Sequence, residues 1–313
     1  MKILIMGTGG VGGYYGSLLA QQGNEVTFIA RGAHLYAIRH EGLKIKSVHG
    51  DFTVFPANAT DDPANVGPVD LVLFTVKTYN TDEAAEAIRP AVGPQTVVLS
   101  LQNGIDAAER IGEVVGLEHV IGGVTWLSSA VEAPGVIKQI SQFRRIVFGE
   151  LDGSGSARIQ SIYEVLKNTG IAVEISESIQ KVLWTKFVFI SAASGLGSLT
   201  RLPMGDYRSV PETRSLLSGI MLEVESLALA QGITLDSDVV QKSLEFTDNA
   251  APHIKPSMQL DVETGHPTEL ESMIGVIGRK GRKLGVPTPV ADFVYASLLP
   301  IELKARNEFS SAP

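Results

Sequence analysis

Short apolar runs alternate with longer amphipathic segments through the first 175 residues. Apolar runs at Ile3–Met6, Glu25–Ala30, Asp70–Val76 and Thr96–Leu101 predict strands, and Val11–Gln22 has the pattern of a helix. Helical patterns also follow the other strands. This alternation predicts βαβ units, and therefore a parallel sheet with helices on both faces.

Two further regions of this half read as strands without intervening helices. Leu43–Pro56 is interrupted at His49-Gly50 in the manner of a hairpin. Strand-like runs also occur at Ile121–Val124, Val136–Ile140 and Arg145–Phe148. We expect these segments to add antiparallel strands to the sheet.

The hydrophobic period changes after Ile175, where apolar residues recur at spacings of three and four. The predicted helices are Ser176–Ser194, Pro211–Ala230, Asp238–Asn249, Pro267–Leu284 and Val290–Arg306. The sequence thus predicts an α/β domain over residues 1–176 and an all-helical domain over residues 177–313.

Composition narrows the classes of function. The chain has 313 residues, and its 26 Lys and Arg against 34 Asp and Glu give a net charge of −8. Without a basic run, nucleic acid is not expected as a partner. The chain has no cysteine, so disulfides and thiolate metal sites are excluded, and no metal site is predicted from its dispersed histidines and carboxylates.

The sequence pattern predicts neither a secretion signal nor a membrane span. Only four apolar residues follow Met1-Lys2 before Gly7, too few for the core of a secretion signal. The uncharged stretch Phe187–Thr200 in the helical half has 14 residues, which is too short to span a bilayer. We expect a cytoplasmic protein without a membrane segment.

A glycine-rich motif, G-x-G-x-x-G, joins the first strand to the first helix. It consists of Gly7, Thr8, Gly9, Gly10, Val11 and Gly12. The first glycine of such a motif forms a tight turn, the second lets a pyrophosphate approach the main chain, and the third allows close helix packing. The alternative is a glycine-rich turn without a ligand. The flanking strand and helix favour a Rossmann-type dinucleotide site.

The end of the second strand indicates which dinucleotide is bound. An acidic residue there would bind the ribose hydroxyls of NAD, whereas an arginine favours the 2′-phosphate of NADP. The strand ends in Arg31, with no acid in that place. The alternative is a solvated surface charge. We predict NADP(H) as the cofactor.

Lys77 and Asn103 follow two other predicted parallel strands. The carboxyl ends of parallel strands line the ligand crevice of such a sheet, so both residues are expected at the cofactor. Position alone does not distinguish these roles from simpler ones. Lys77 could equally be a charged loop residue, and Asn103 could equally belong to a turn or cap a helix.

Two residues of the helical half are candidates for catalysis. Lys186 is the only charged residue from Val182 to Thr200. A desolvated ammonium there would be a ready proton donor, although a side chain that extends to solvent is the alternative. Glu269 comes two residues after Pro267, at the predicted start of a helix. The simpler interpretation is that its carboxylate only stabilises the helix dipole.

The chain from Met1 to about Pro300 resembles the ketopantoate reductase family (2-dehydropantoate 2-reductases). Seven motifs in the same order carry the resemblance. They are Gly7-Thr8-Gly9-Gly10-Val11-Gly12, Ala30-Arg31-Gly32, Thr75-Val76-Lys77, Gln102-Asn103-Gly104, Leu183-Trp184-Thr185-Lys186-Phe187, Lys255-Pro256-Ser257-Met258 and Pro267-Thr268-Glu269-Leu270. The resemblance implies a Rossmann domain followed by a helical domain, and NADPH-dependent reduction of 2-dehydropantoate to pantoate in pantothenate biosynthesis.

The resemblance also implies roles for individual residues. Lys186 would donate the proton, and Glu269 would contact the cofactor and organise the site. Asn103 and Lys77 would lie at the nicotinamide and substrate, and Ser257 would bind the substrate. It further suggests Ala130 as a main-chain contact to the cofactor.

The chain departs from the family pattern in one place. Ile190, Ser194 and Met204 stand where pantoate-forming members carry asparagines. Because a pocket that hydrogen-bonds a substrate hydroxyl discriminates strongly, the change predicts an altered choice of 2-oxo acid. The alternatives are a reductase of a less polar 2-oxo acid or ketone, and a non-catalytic NADPH sensor. A homodimer is left open.

Overall fold

Two compact units make up the computed structural model, which describes residues 1–308. The sheet unit contains residues 1–102 and 106–179. The helical unit contains Asn103–Ile105 and the chain from Gln180 onward. The predicted fold class, a Rossmann-type parallel sheet domain followed by a helical domain, is confirmed. The short segment Asn103–Ile105 is the exception, because it packs with helices that are far away in the sequence.

The sheet unit is built on ten strands with five helices. The strands are β1 (Lys2–Met6), β2 (Glu25–Ile29), β3 (Leu43–Lys46), β4 (Phe52–Val54), β5 (Asn58–Thr60), β6 (Leu71–Phe74), β7 (Val97–Ser100), β8 (Val120–Ala133), β9 (Val136–Gly149) and β10 (Ala172–Ile175). The helices are α1 (Gly10–Gln21), α2 (Gly32–Glu41), α3 (Thr81–Ile88), α4 (Ala107–Val115) and α5 (Ala157–Lys167).

Strand order shows where a ligand crevice lies. The sheet runs β4-β3-β9-β8-β7-β6-β1-β2-β5, with β10 on β9. From β5 to β8 all neighbours are parallel. Counted in chain order, these strands follow the 3-2-1-4-5-6 order of dinucleotide-binding sheets. The order reverses between β1 and β6, and ligands of such sheets bind outside the carboxyl ends of the strands at that point.

Burial explains why the central strands are apolar on both faces. In β1, Ile3 and Ile5 belong to the hydrophobic core on one face, and Leu4 and Met6 belong to the core on the other. Helix α1 approaches the first face closely, because a Cβ on Gly16 would lie 2.7 Å from Ile5. Helices on both sides therefore exclude water from the parallel strands.

The region from 120 to 149 differs from its prediction. Three short strands were expected, but β8 and β9 are two 14-residue strands that pair antiparallel. Irregularities in their pairing lie between Leu127 and Ser129 and between Val131 and Ala133. The outer part of β8, from Ser128 onward, is mostly exposed, whereas Val136–Ile140 in the outer part of β9 alternates buried with exposed residues. Two of the predicted runs, Val136–Ile140 and Arg145–Phe148, therefore belong to one long strand, β9. The predicted hairpin of β3 and β4 is confirmed.

The helical unit contains seven helices within residues 1–308. They are α6 (Ile179–Thr200), α7 (Met204–Ser209), α8 (Pro211–Ala230), α9 (Val239–Asn249), α10 (Ser257–Thr264), α11 (Val276–Leu284) and α12 (Pro289–Ala305). A π-helical turn, Glu271–Gly275, precedes α11, and Leu270 is the first helical residue of that segment. Helix α6 starts three residues later and ends six residues later than predicted. The short helices α7 and α10 were missed, because few turns give little periodicity.

Within the described residues, α6 alone is long and apolar enough to cross a membrane by length and composition. However, 61% of its apolar window is buried within the structure. Trp184, Phe187, Val188 and Leu196 all belong to the core of the helical unit. Helix α6 therefore has the burial of a core helix in a globular protein.

Candidate active site

The glycine-rich turn after β1 has the geometry that its motif predicts. Gly7 has a φ of +101°, and a Cβ there would lie 2.8 Å from the main-chain nitrogen of Val76. A Cβ on Gly12 would lie 2.2 Å from the Gly7 carbonyl oxygen and 2.3 Å from Oγ1 of Thr75. Neither position accepts a side chain, so one glycine forms the turn and the other lets α1 pack against the strands.

The second glycine of the motif is different, because a Cβ on Gly9 would meet no atom within 4 Å. Gly9 is the N-cap of α1, and no side chain caps the helix there. At Gly10 a Cβ would lie 2.2 Å from the Ser129 carbonyl oxygen, directly before the exposed Ala130 of β8. Val11 is half-buried and packs on the sheet core. Open space beside an uncapped helix N-terminus fits the pyrophosphate of a dinucleotide.

Thr8 points away from that open space and fixes the turn from inside. Its hydroxyl donates to the carbonyl oxygen of Ile29 over 2.8 Å. His34 Nε2 lies 2.9 Å from the Thr8 carbonyl oxygen, and the main-chain N–H of Gly135 donates to His34 Nδ1 over 2.9 Å. Burial lowers the pKa of His34, so the ring is neutral near pH 7 and donates through Nε2. Nothing in the sequence pattern indicates this role of His34.

Arg31 follows the last residue of β2 by two positions and is the N-cap of α2. Its guanidinium Nη2 donates to Oε1 of Glu83, in the first turn of α3, over 2.9 Å. The two side chains are 69% and 64% exposed. An exposed ion pair contributes about 0–1 kcal/mol to stability, so this one is readily exchanged for a phosphate partner.

The residues after β6 and β7 are held by a buried amide. Gln102 Nε2 donates to the Val76 carbonyl oxygen over 3.0 Å and to the Thr81 hydroxyl over 2.9 Å. Half-buried Lys77 follows Val76 and begins a short 3-10 turn. Gln102 therefore fixes the main chain at the carboxyl end of the sheet. It was quoted in a sequence motif, but its side chain had no predicted role.

Within the helical unit, the structure brings Lys186 and Asn103 together. Lys186 Nζ donates to Asn103 Oδ1 over 2.9 Å, and the adjacent Ile105 packs on the helical core. Although part of the Lys186 side chain reaches solvent, the dense packing around its ammonium lowers its pKa to about 8. Desolvation is the main cause, and the negative charge of Glu269 partly opposes it. The side chains predicted to act together therefore share one site.

Glu269 is 6% exposed and lies at the start of the segment that leads into the π-helical turn. Its carbonyl oxygen accepts from the main-chain N–H groups of Ser272 and Met273. The preceding residue, Thr268, is held by the buried carboxylate of Glu302 on α12. The sequence gives no signal for this role of Glu302, because it is a lone acid near the end of a predicted helix.

The residues expected at the substrate occupy different environments. Ile190 is half-buried and packs on the helical core, Ser194 is 2% exposed, and Met204 is 1% exposed within that core. Ser257 is exposed and is the first residue of α10. Among residues 1–308, no group of three or more His, Asp or Glu residues could hold a metal ion.

Known protein families provide a direct comparison. Residues 3–153 match the family described as "Ketopantoate reductase PanE/ApbA", and residues 178–302 match its C-terminal domain. The chain belongs to the ketopantoate reductase family. It is therefore an oxidoreductase of 2-oxo acids that uses a nicotinamide cofactor.

Two relatives in this family are similar over nearly their whole length. The chain is 30% identical to the "Uncharacterized oxidoreductase YkpB" of Bacillus subtilis, over 95% of this chain and 98% of that protein. It is also 30% identical to the 2-dehydropantoate 2-reductase of Nostoc sp., over 95% of this chain and 94% of that one. The resemblance therefore covers both units.

Solved structures of similar proteins extend the comparison. The 2-dehydropantoate 2-reductase of Geobacter metallireducens is 33% identical with a TM-score of 0.90, covering 96% of this chain and 99% of that one. D-mandelate dehydrogenase, solved with NADH and anilino(oxo)acetate, is 25% identical with a TM-score of 0.89, covering 98% and 99%. The same architecture is thus found in oxidoreductases that are named for different substrates.

Proposed function

We propose that this protein reduces a 2-oxo acid to the corresponding 2-hydroxy acid with NADPH, and that 2-dehydropantoate is the leading substrate. The observation that carries the proposal is the Lys186 ammonium, bound to Asn103 over 2.9 Å with a pKa lowered to about 8. A ketone oxygen must gain a proton as its carbon is reduced. An ammonium of this pKa is mostly charged at neutral pH and is still a stronger acid than an ordinary lysine.

Each residue around Lys186 has a distinct part in this chemistry. A bound nicotinamide supplies the hydride that the ketone carbon accepts. Lys186 donates a proton to the ketone oxygen, and its three N–H donors let it keep the bond to Asn103 while it does so. The Glu269 carboxylate favours the charged form of Lys186, which offsets part of the desolvation.

Residues of the sheet unit would hold the cofactor. The open space beside Gly9 and the uncapped start of α1 suit the pyrophosphate. Arg31 would bind the 2′-phosphate in exchange for Glu83, and this supports NADPH over NADH. Lys77 and Ala130 complete the set that the family resemblance suggests.

A second candidate substrate is a less polar 2-oxo acid. Ile190 and Met204 are apolar where the asparagines of pantoate-forming relatives are expected, and Ser194 is a shorter side chain. A site without those amides loses discrimination in favour of a substrate hydroxyl. The similarity to D-mandelate dehydrogenase also favours this candidate.

A panel of 2-oxo acids tests the proposal, with NADPH oxidation followed by absorbance. We expect turnover of 2-dehydropantoate and at least comparable turnover of 2-oxo acids with more hydrocarbon and fewer hydroxyls. If 2-dehydropantoate has by far the highest kcat/KM, our inference from Ile190 and Met204 is wrong. Binding of NADPH without turnover of any member would instead indicate a non-catalytic NADPH sensor. The presence of both Lys186 and Glu269 argues against a sensor, because binding alone does not need a proton donor.

Cytoplasmic location, a role in pantothenate biosynthesis and a homodimer stay predictions. Rescue of a strain that requires pantothenate tests the second of these, because only reduction of 2-dehydropantoate supplies that pathway. Light scattering during gel filtration tests the third.

A further inference from the structure

A buried ionic cluster lies directly before Glu269. The Glu302 carboxylate, on a side chain that is 5% exposed, accepts the main-chain N–H of Thr268 over 2.9 Å and also accepts its hydroxyl. Arg306 Nε donates to the same carboxylate over 2.5 Å, and Arg306 Nη2 donates to the Thr268 carbonyl oxygen over 3.3 Å. All three polar groups of Thr268 are thus held by side chains from the end of α12.

Such a cluster needs an explanation, because a buried carboxylate is strongly disfavoured unless its oxygens are bonded. A residue that only filled space in a helical core could be apolar at lower cost. Here the acid and the arginine both converge on the main chain of Thr268. Their effect is to fix one short piece of backbone.

That piece of backbone carries Glu269. On one side, Thr268 is held by Glu302 and Arg306, and the Thr268 hydroxyl accepts from the N–H of Leu270 over 3.1 Å. On the other side, the Glu269 carbonyl oxygen accepts from Ser272 over 3.1 Å and from Met273 over 2.9 Å. The main chain is therefore bonded on both sides of Glu269, and a π-helical turn, a feature frequent at functional sites, follows at once.

We propose that Glu302 and Arg306 are positioning residues, which fix Thr268 and so hold the Glu269 carboxylate at its working distance from Lys186. The proposal rests on the proposed function, in which Lys186 is the proton donor and Glu269 acts on its charge. A shift of about 1 Å in a catalytic group can change a rate by roughly 100-fold, so a fixed backbone has a functional value beyond stability.

The test is an NMR titration of the full-length protein labelled with 13Cε-lysine, without cofactor or substrate. The Lys186 signal is assigned by its absence from Lys186→Ala. Because Glu269 raises the pKa of Lys186, loosening Glu269 should lower that pKa. We expect a downward shift of about 0.5 pH units or more in Glu302→Gln and in Arg306→Gln. Each variant should also lose ~10-fold in kcat on the best substrate.

Glu302→Gln and Arg306→Gln together distinguish a positioning role from a direct effect of the two charges on Lys186. Removing the negative charge of Glu302 by itself would lower the pKa of Lys186, and removing the positive charge of Arg306 would raise it. Positioning predicts a downward shift in both. Shifts of opposite sign, or unchanged pKa and kcat in folded variants, overturn the proposal. If Glu302→Gln does not fold, Thr268→Val gives the same test, because it removes only the hydroxyl.

Glu223→Gln is the matched control. Glu223 is also a buried glutamate of the helical unit, and it accepts two main-chain N–H groups, those of Val290 over 2.7 Å and Ala291 over 2.9 Å. We expect it to lower Tm as Glu302→Gln does, without moving the pKa of Lys186. Equal pKa shifts in the two variants would show that general loosening of the unit is the cause, and would overturn the proposal.

Glu269→Gln separates this proposal from the proposed function. Glu269→Gln could lower kcat and the pKa of Lys186 while Glu302→Gln and Arg306→Gln change neither quantity. In that case the positioning role of Glu302 and Arg306 is wrong, and the proposed function stands. If Glu269→Gln changes neither quantity, the proposed role of Glu269 fails, and positioning fails with it.

Discussion

The two units present candidate functional groups of different kinds. In the sheet unit, the features that suit a dinucleotide are mainly main-chain features, within six consecutive residues and at strand ends. In the helical unit, the features that suit catalysis are side chains from four separate segments, at Asn103, Lys186, Glu269 and Glu302. A site made of backbone depends on local turn geometry and can be read from a motif. A site made of side chains depends on packing between distant segments.

The largest effect should come from the side-chain site. Lys186→Ala removes the proton donor, and turnover should fall roughly 100- to 10,000-fold. NADPH affinity, measured by fluorescence titration, should change by no more than a few-fold. Lys181→Ala on the same helix is the control, because Lys181 is exposed and pairs with Asp236 over 2.6 Å. A folded Lys186→Ala protein with more than about a tenth of the original turnover would show that Lys186 only packs.

The pH dependence of the rate should follow the charge of Lys186. Its pKa is lowered to about 8, and only the ammonium can donate a proton. The rate of reduction should therefore be at half its plateau near pH 8 and fall about tenfold per unit above that, reaching ~100-fold at pH 10. Stopped-flow measurement of NADPH oxidation checks this. A constant rate from pH 7 to pH 10 would assign the proton to another donor.

Paired glycine substitutions test whether the sheet unit binds through its backbone. The methyl group of Gly9→Ala would enter open space, so Tm should be unchanged. The same methyl group should obstruct the pyrophosphate and lower the affinity for NADPH roughly 30-fold, or about 2 kcal/mol. Gly12→Ala meets main-chain oxygen at 2.2 Å and should also destabilise the fold by about 1–3 kcal/mol. Calorimetry gives both values. Full NADPH affinity in Gly9→Ala would exclude this loop as the pyrophosphate site.

The smallest expected effect concerns the choice of dinucleotide. NADPH should bind at least ~10-fold more tightly than NADH, about 1.4 kcal/mol, and Arg31→Ala should abolish the difference. Glu83→Gln should raise the preference a few-fold, because the carboxylate no longer competes for Arg31. Arg89→Ala is the control, since Arg89 forms a similar exposed pair with Glu86. Equal affinities for the two dinucleotides in the unmodified protein would contradict the assignment of Arg31.

The fold was largely predictable, for reasons visible in particular segments. The strand at Ile3–Met6 is apolar at every position because both its faces are covered, and α8 matches its predicted bounds because its apolar stripe runs over five turns. Prediction failed where local pattern is weak. Helix α10 has eight residues, the outer part of β8 is mostly exposed, and mostly polar residues separate the two apolar runs of β9.

Of the candidate sites, the sequence by itself determined the glycine-rich turn. Gly7 and Gly12 are constrained by close neighbours, and Gly7 also by its positive φ, while Gly9 leaves open space at the start of α1, as a strand-turn-helix motif of this kind implies. It also identified Lys186 as the only charged residue from Val182 to Thr200. Only the tertiary structure decided that Asn103 contacts Lys186, that Glu83 pairs with Arg31, and that Glu302 holds Thr268. These contacts join residues 34 to 83 positions apart. No local pattern encodes them, because they arise from packing of whole elements, and packing is set by all the side chains together.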